Sequence, residues 1–184
     1  MNLGRVPIIV WFLVPTAILI GLGVWFLTSS SFIQPQDKTK PAEVSNSIEG
    51  VQEFDIVGEN HIPQGTPGSG YNSNPPSSGP HWPSPAVKGV FDKPIPDETA
   101  LHNLEHGHIW IAYDPSISEE VKTKLAETAQ NDDWKIIMSP REGNDAKIAL
   151  VAWGRVLNMD EPDFARVEDF IKTYRNRGPE KTPE

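Results

Sequence analysis

The 184-residue chain contains no cysteine. Disulfide staples, thiolate metal ligands and cysteine nucleophiles are excluded together, so a packed core alone must hold the fold. Positive charge is also scarce: 16 Lys and Arg stand against 25 Asp and Glu, for a formal net charge of −9. Arg5 is the sole charged side chain ahead of residue 28, so the remainder is slightly more negative still. Such a balance repels phosphate backbones and anionic lipid surfaces, and no nucleic-acid partner is expected. The chain has no Gly-x-Ser-x-Gly elbow, no phosphate loop, no dinucleotide fingerprint and no visible internal repeat, which leaves it without the usual signatures of those enzyme classes.

One long apolar run is present. Val6 to Leu27 is 22 residues without a charge, enough for a helix to cross a hydrocarbon core of about 30 Å at about 1.5 Å per residue. A cleaved signal peptide carries an apolar core of only about 7–15 residues, so the run reads as an uncleaved membrane anchor. Pro7 and Pro15 are compatible with that, and Trp11 and Trp25 suit the two interfaces. The expected organisation is a cytoplasmic N-terminus over 1–5, a transmembrane anchor over 6–27, a flexible polar linker over 28–47 and a folded domain over 48–184. The expected location is the cell membrane, single-pass, with the C-terminal domain outside the cytoplasm.

Within the domain, alternation over Val51 to Val57 predicts a first strand. Residues 61–96 are crowded with proline and glycine, too many for regular structure. Tyr71, His81, Trp82 and Phe91 give this long loop apolar anchors, so it is expected to be ordered against the domain. Asp97 or Thr99 can cap a short helix through Leu101 to His106, with Gly107 as its stop. A strand over His108 to Tyr113 follows, then a helix from Ser118 to about Gln130 and a strand over Trp134 to Met138. The segment Arg141 to Asp145 has turn composition and leads into a long strand, Ala146 to Leu157, expected to pair antiparallel with its predecessor. Phe164, Val167, Phe170, Ile171 and Tyr174 mark the apolar face of a last helix, Pro162 to Arg175. The strand tryptophans, Trp110, Trp134 and Trp153, read as sheet packing, and Arg155 as the partner of an acid across the sheet. The fold expected is α+β, a mostly antiparallel sheet with helices packed on one face and a long Pro-rich loop, behind one N-terminal transmembrane helix.

Three of the five histidines lie within Leu101-His102-Asn103-Leu104-Glu105-His106-Gly107-His108. On a helix, His102 and His106 share a face at i, i+4, the spacing that presents two imidazoles to one metal ion. Gly107 lets the backbone turn so that His108 can approach. His81, fixed between Pro80 and Pro83, is the natural closing ligand. The predicted ligand set is therefore His81, His102, His106 and His108, for a transition metal, with copper first and zinc second because nitrogen ligands without sulfur follow the Irving–Williams order. Met159 reads as packing and His61, alone in its segment, as a solvated loop residue. The lettering His-x-x-Glu-His is that of inverted zinc proteases, but a helix ending at Gly107 is too short for that architecture.

Two other readings compete. In one, Glu105 and His106 act as orienter and general base of a hydrolase or lyase without metal, with Ser77, Ser78 or Tyr71 as nucleophile. In the other, a non-catalytic module holds an envelope protein or a glycan on the Pro-rich loop and its aromatics Tyr71, Trp82 and Phe91. Binding is favoured over catalysis because no nucleophile stands out.

The blocks Tyr71-Asn72-Ser73-Asn74-Pro75-Pro76-Ser77-Ser78-Gly79-Pro80-His81, Leu101 to His108, Ala152-Trp153-Gly154-Arg155 and Gly178-Pro179-Glu180 together resemble the bacterial domain-of-unknown-function 3105 family. The resemblance spans about Val51 to Glu180 and implies a membrane-anchored or exported domain. It implies no activity, and places His81, His102 and His106 on motif blocks.

Overall fold

The computed structural model describes residues 48–183. The predicted anchor over 6–27 lies outside the described residues, and among those described no helix is long and apolar enough to cross a membrane. The described residues form six strands, β1 (Gln52–Glu53), β2 (Gly89–Val90), β3 (Ile109–Tyr113), β4 (Ile136–Pro140), β5 (Ile148–Ala152) and β6 (Arg155–Met159). They also form three helices, α1 (Asp97–Glu105), α2 (Glu119–Asn131) and α3 (Phe164–Tyr174).

The sheet order is β1-β6-β5-β3-β4-β2. It is mixed, not mostly antiparallel. β3 pairs parallel with β4 from Ile109↔Ile136 to Tyr113↔Pro140, and β4 pairs parallel with β2. The physical cause is α2, which carries the chain from the end of β3 back to the start of β4 as a crossover, so the two strands must run the same way. The expected hairpin between β4 and the strand after it does not form. β5 lies instead on the other side of β3, antiparallel to it. The predicted long strand over 146–157 is two strands, broken at Trp153-Gly154, where Gly154 has φ +69 and β5 turns back into β6. An almost uninterrupted apolar run hid that turn. The first strand is shorter than expected and exposed, but in the register of β1 and β6 Glu53 faces Arg155. Their side chains pair at 3.3 Å, as anticipated for Arg155.

β3, β4 and β5 are buried at every position, which explains their continuous apolar sequences: both faces of the sheet are covered. Alternation then divides the strand residues into two cores. Ile109, Ile111, Tyr113, Ile136, Met138, Leu150 and Leu157 face α2, through Leu125 and Ala129, and α3, through Val167, Phe170, Ile171 and Tyr174. Met159 is buried in the same layer. Trp110, Ala112, Ile137, Ala149, Val151 and Val156 face Ala100, Leu101 and Leu104 of α1. The helices therefore lie on both faces, two on one and α1 on the other, because the apolar side of α1 is required to cover Trp110 and its neighbours.

The Pro-rich loop completes that second face. Tyr71 and Phe91 pack on its core, the Tyr71 hydroxyl donates to the Pro80 carbonyl at 2.8 Å, and the Trp82 indole N–H donates to the Thr66 carbonyl at 2.8 Å. Burial, with the nearby Glu98 and Asp97 carboxylates, pushes the Tyr71 phenol up to about 12. Asp97 does not cap α1, whose N-cap is Pro96 with no side-chain cap bond. It accepts two hydrogen bonds from Arg141 at 2.8 Å each. The same guanidinium donates to the Asn74 and Asn144 side-chain oxygens, both at 2.8 Å, so one residue ties loop, helix and turn together. Replacing Arg141 with Met is expected to cost about 1–2 kcal/mol, given the partial exposure of the pair. Urea unfolding checks this, and an unchanged midpoint would exclude the tie.

Candidate metal centre

Two segments meet on the α1 face of the sheet. In the loop, residues 60–62 run beside residue 81 as an isolated parallel bridge between His61 and His81. Ile62 N–H donates to the His81 carbonyl at 2.8 Å, and His81 N–H to the Asn60 carbonyl at 3.2 Å. Opposite them is α1. Its Leu101 and Leu104 go into the sheet core, which leaves His102 and Glu105, three positions apart on another side, turned toward the loop.

The result is a group of His61, His81, His102 and Glu105, with one candidate ligand atom from each residue and all four atoms within 4.8 Å of one another. The Glu105 Oε2 atom lies 3.0 Å from His81 Nε2 and 3.5 Å from His61 Nε2. Donors on a tetrahedral ion with bonds of about 2.0–2.2 Å lie about 3.3–3.5 Å apart, so these spacings suit one metal ion. The His61 and His102 rings stack on each other at 5.0 Å, and each meets the His81 ring edge-on, at 4.9 Å and 5.3 Å. His81 is 0% exposed, Glu105 3% and His102 5%, whereas the His61 side chain is 45% exposed and forms the solvent-facing side.

Hydrogen bonding settles which nitrogens are available. His81 Nδ1 is 2.8 Å from the Gly79 carbonyl and His102 Nδ1 is 2.8 Å from the Trp82 carbonyl. A carbonyl oxygen only accepts, so both Nδ1 atoms carry hydrogen, and in the neutral rings each Nε2 is a bare lone pair. This is the outer support that orients metal-binding imidazoles. A neutral His81 then points a lone pair at a carboxylate oxygen 3.0 Å away. Two acceptors do not face each other so closely in a buried site without a cation between them, either a proton on Nε2 or a metal ion. Burial holds the His102 imidazole below its ordinary pKa; its bond to the Trp82 carbonyl opposes this, and neighbouring His106 and His81 reinforce it. His102 is thus neutral at pH 7.

The other predicted ligands go elsewhere. His106 stands in the last turn beside His102, ring centroids 4.5 Å apart, but groups with Glu105 and Glu180, its Nε2 3.2 Å from a Glu180 carboxylate oxygen. His108 starts the strand side of the turn, buried, with Nδ1 3.1 Å from the Asn103 carbonyl, and it belongs to neither group. His61, expected to be solvated, joins the site instead. No local signal marks it: only its pairing with residue 81, twenty positions on, brings it there. Glu105 was legible as an acid beside two imidazoles, yet as an orienter of His106 rather than as the centre of the group.

Residues 64–184 match the model of a family described as protein of unknown function, DUF3105. The chain belongs to this family. Neither the curated proteins nor the solved structures yield a match. The DUF3105 match contains His81, His102, Glu105, His106 and Glu180, while His61 lies just ahead of its start.

The C-terminal tail backs the helix that carries these side chains. Gly107 takes φ +84, and Asn176 N–H donates to its carbonyl at 2.7 Å. A Cβ on Gly178 would overlap the Glu105 carbonyl oxygen. Lys135, fully buried, donates to the His106 carbonyl at 2.7 Å, to the Asn176 side chain at 3.1 Å and to the Thr182 carbonyl at 2.9 Å. The sequence offered nothing to distinguish this lysine from the other surface-type charges.

Proposed function

We propose that the protein is a membrane-anchored, extracytoplasmic transition-metal-binding protein whose ligands are His61, His81, His102 and Glu105. The observation that carries this reading is the gathering of two carbonyl-anchored imidazoles and a third, solvent-side imidazole around one buried carboxylate, with His81 Nε2 3.0 Å from it and one ligand atom of every residue within 4.8 Å of the others. Three nitrogens and one carboxylate oxygen, without sulfur, favour Cu(II) first and Zn(II) second, and disfavour Cu(I).

The test is elemental analysis and calorimetric titration of the full chain, purified in detergent, with Cu(II) and with Zn(II). One tightly held ion per chain is expected; no binding tighter than about 10 µM for either metal would overturn the reading. Affinity should also fall with pH. Each imidazole must be neutral to ligate, so occupancy is expected to be full at pH 7 and largely lost by about pH 5. The lowered pKa of His102 keeps that imidazole neutral further into the acid range. Equal affinity at both pH values would speak against imidazole ligands.

The anchor over 6–27 belongs to the same proposal. Protease added to intact cells is expected to remove the domain while the N-terminal segment stays with the membrane; full protection would reverse the orientation.

A further inference from the structure

We propose that Glu105, His106 and Glu180 hold a second divalent cation, so that Glu105 bridges two ions. The bridging part rests on the four-ligand reading above. One candidate ligand atom from each of these three residues lies within 4.8 Å of the other two, and His106 Nε2 is 3.2 Å from the Glu180 carboxylate. Glu105 is the member common to this group and to the first one. It is a buried carboxylate with two oxygens, the usual means by which proteins hold two ions about 3.5–4 Å apart.

The third ligand is delivered by the tail rather than by the helix. Glu180 is 55% exposed at its side chain, but its backbone is fixed: Glu180 N–H donates to the Glu105 carbonyl at 3.0 Å. On either side of it, Gly178 packs too closely against the end of α1 to admit a Cβ, and Thr182 is held by Lys135. The tail segment Gly178-Pro179-Glu180 thus places a carboxylate over the end of α1, beside the His106 ring. One imidazole and two carboxylates are a harder donor set than three imidazoles and one carboxylate, and the outer side is open to water. The second ion is therefore the weaker one, of the Zn(II) or Mn(II) class.

The experiment is a Zn(II) titration of the full chain in detergent, read by calorimetry and by elemental analysis, for the wild type, Glu180→Gln, His106→Ala and His81→Ala. Two zinc ions per chain are expected, the second bound at least tenfold more weakly, and Glu180→Gln and His106→Ala should each retain the tight ion alone. Glu180→Gln keeps the backbone hydrogen bond and leaves folding undisturbed. A Cu(II)-loaded wild type should also show the half-field resonance of a coupled ion pair, absent in Glu180→Gln. One ion in both wild type and Glu180→Gln, lost in His81→Ala, would overturn the second site and leave the first standing. One ion lost in Glu180→Gln and kept in His81→Ala would support this site and sink the four-ligand one. Two ions in Glu180→Gln, or none in any chain, would overturn the proposal.

Discussion

A His81→Ala chain is expected to lose stoichiometric Cu(II) and Zn(II), with affinity at the four-ligand site reduced at least 100-fold. His81 is wholly buried and its Nε2 lies against the carboxylate at the centre of the group, so no side chain from solvent can take its place. The loss should appear in stability too. A ligand at about 100 times its Kd adds about 2.7 kcal/mol to the folded state. Metal should therefore raise the unfolding midpoint of the wild type much more than that of His81→Ala. His61→Ala separates ligand loss from damage to the fold: its ring is half exposed, so the variant should fold normally, yet bind about 10–100-fold more weakly. Equal metal affinity in His61→Ala and wild type would remove His61 from the ligand set. Without metal, His81 and Glu105 remain paired in the interior at 3.0 Å, and removing the imidazole leaves the buried carboxylate without that partner, at about 3–5 kcal/mol. A His81→Ala chain destabilised equally with and without metal would favour that purely structural role.

Lys135→Met is expected to destabilise the protein by about 2–4 kcal/mol. The ammonium is buried and is bonded to the carbonyls of His106 and Thr182 and to the side chains of Asn176 and Thr182. Methionine retains the volume but removes every donor, leaving buried acceptors unpaired at about 1–3 kcal/mol each before relaxation. A cation at this point also suits the negative end of α1. Urea unfolding at constant pH measures the difference. The tail that Lys135 holds carries Glu180, so the variant is also expected to lose the weaker zinc ion while keeping the tighter one. A change below about 0.5 kcal/mol would mean that water satisfies these acceptors in the variant.

Much of the element pattern was legible from local chemistry. Ser118 caps α2 and accepts from Val121 N–H, Gly107 ends α1 with a positive φ, and the apolar stripe Val167, Phe170, Ile171 and Tyr174 is the buried side of α3. Each of these follows from neighbours within a few residues, where helix periodicity and capping geometry act. Strand pairing was misread because the turn-like segment at 141–145 is compatible with either a hairpin or a cross-sheet connection. Competition between neighbours for the edge of β3 decides between them, and the local sequence holds no record of it. Tyr71 and Phe91, read as apolar anchors of the Pro-rich loop, do pack as partly buried rings against the core.

The sequence by itself singled out His81 and the segment 102–106 as candidates for metal or proton chemistry, because imidazole and carboxylate clustering is a property of composition and helical spacing. Tertiary structure alone decided which of these side chains gather: it brought His61 into one group and Glu180 into another, left His108 outside both, and made Glu105 their common member. The geometry of the two groups is fixed by a bridge between residues 61 and 81 and by a tail docked on the end of α1, contacts between segments far apart in the chain. No local pattern encodes those distances, since they arise only when the two faces of the sheet are covered.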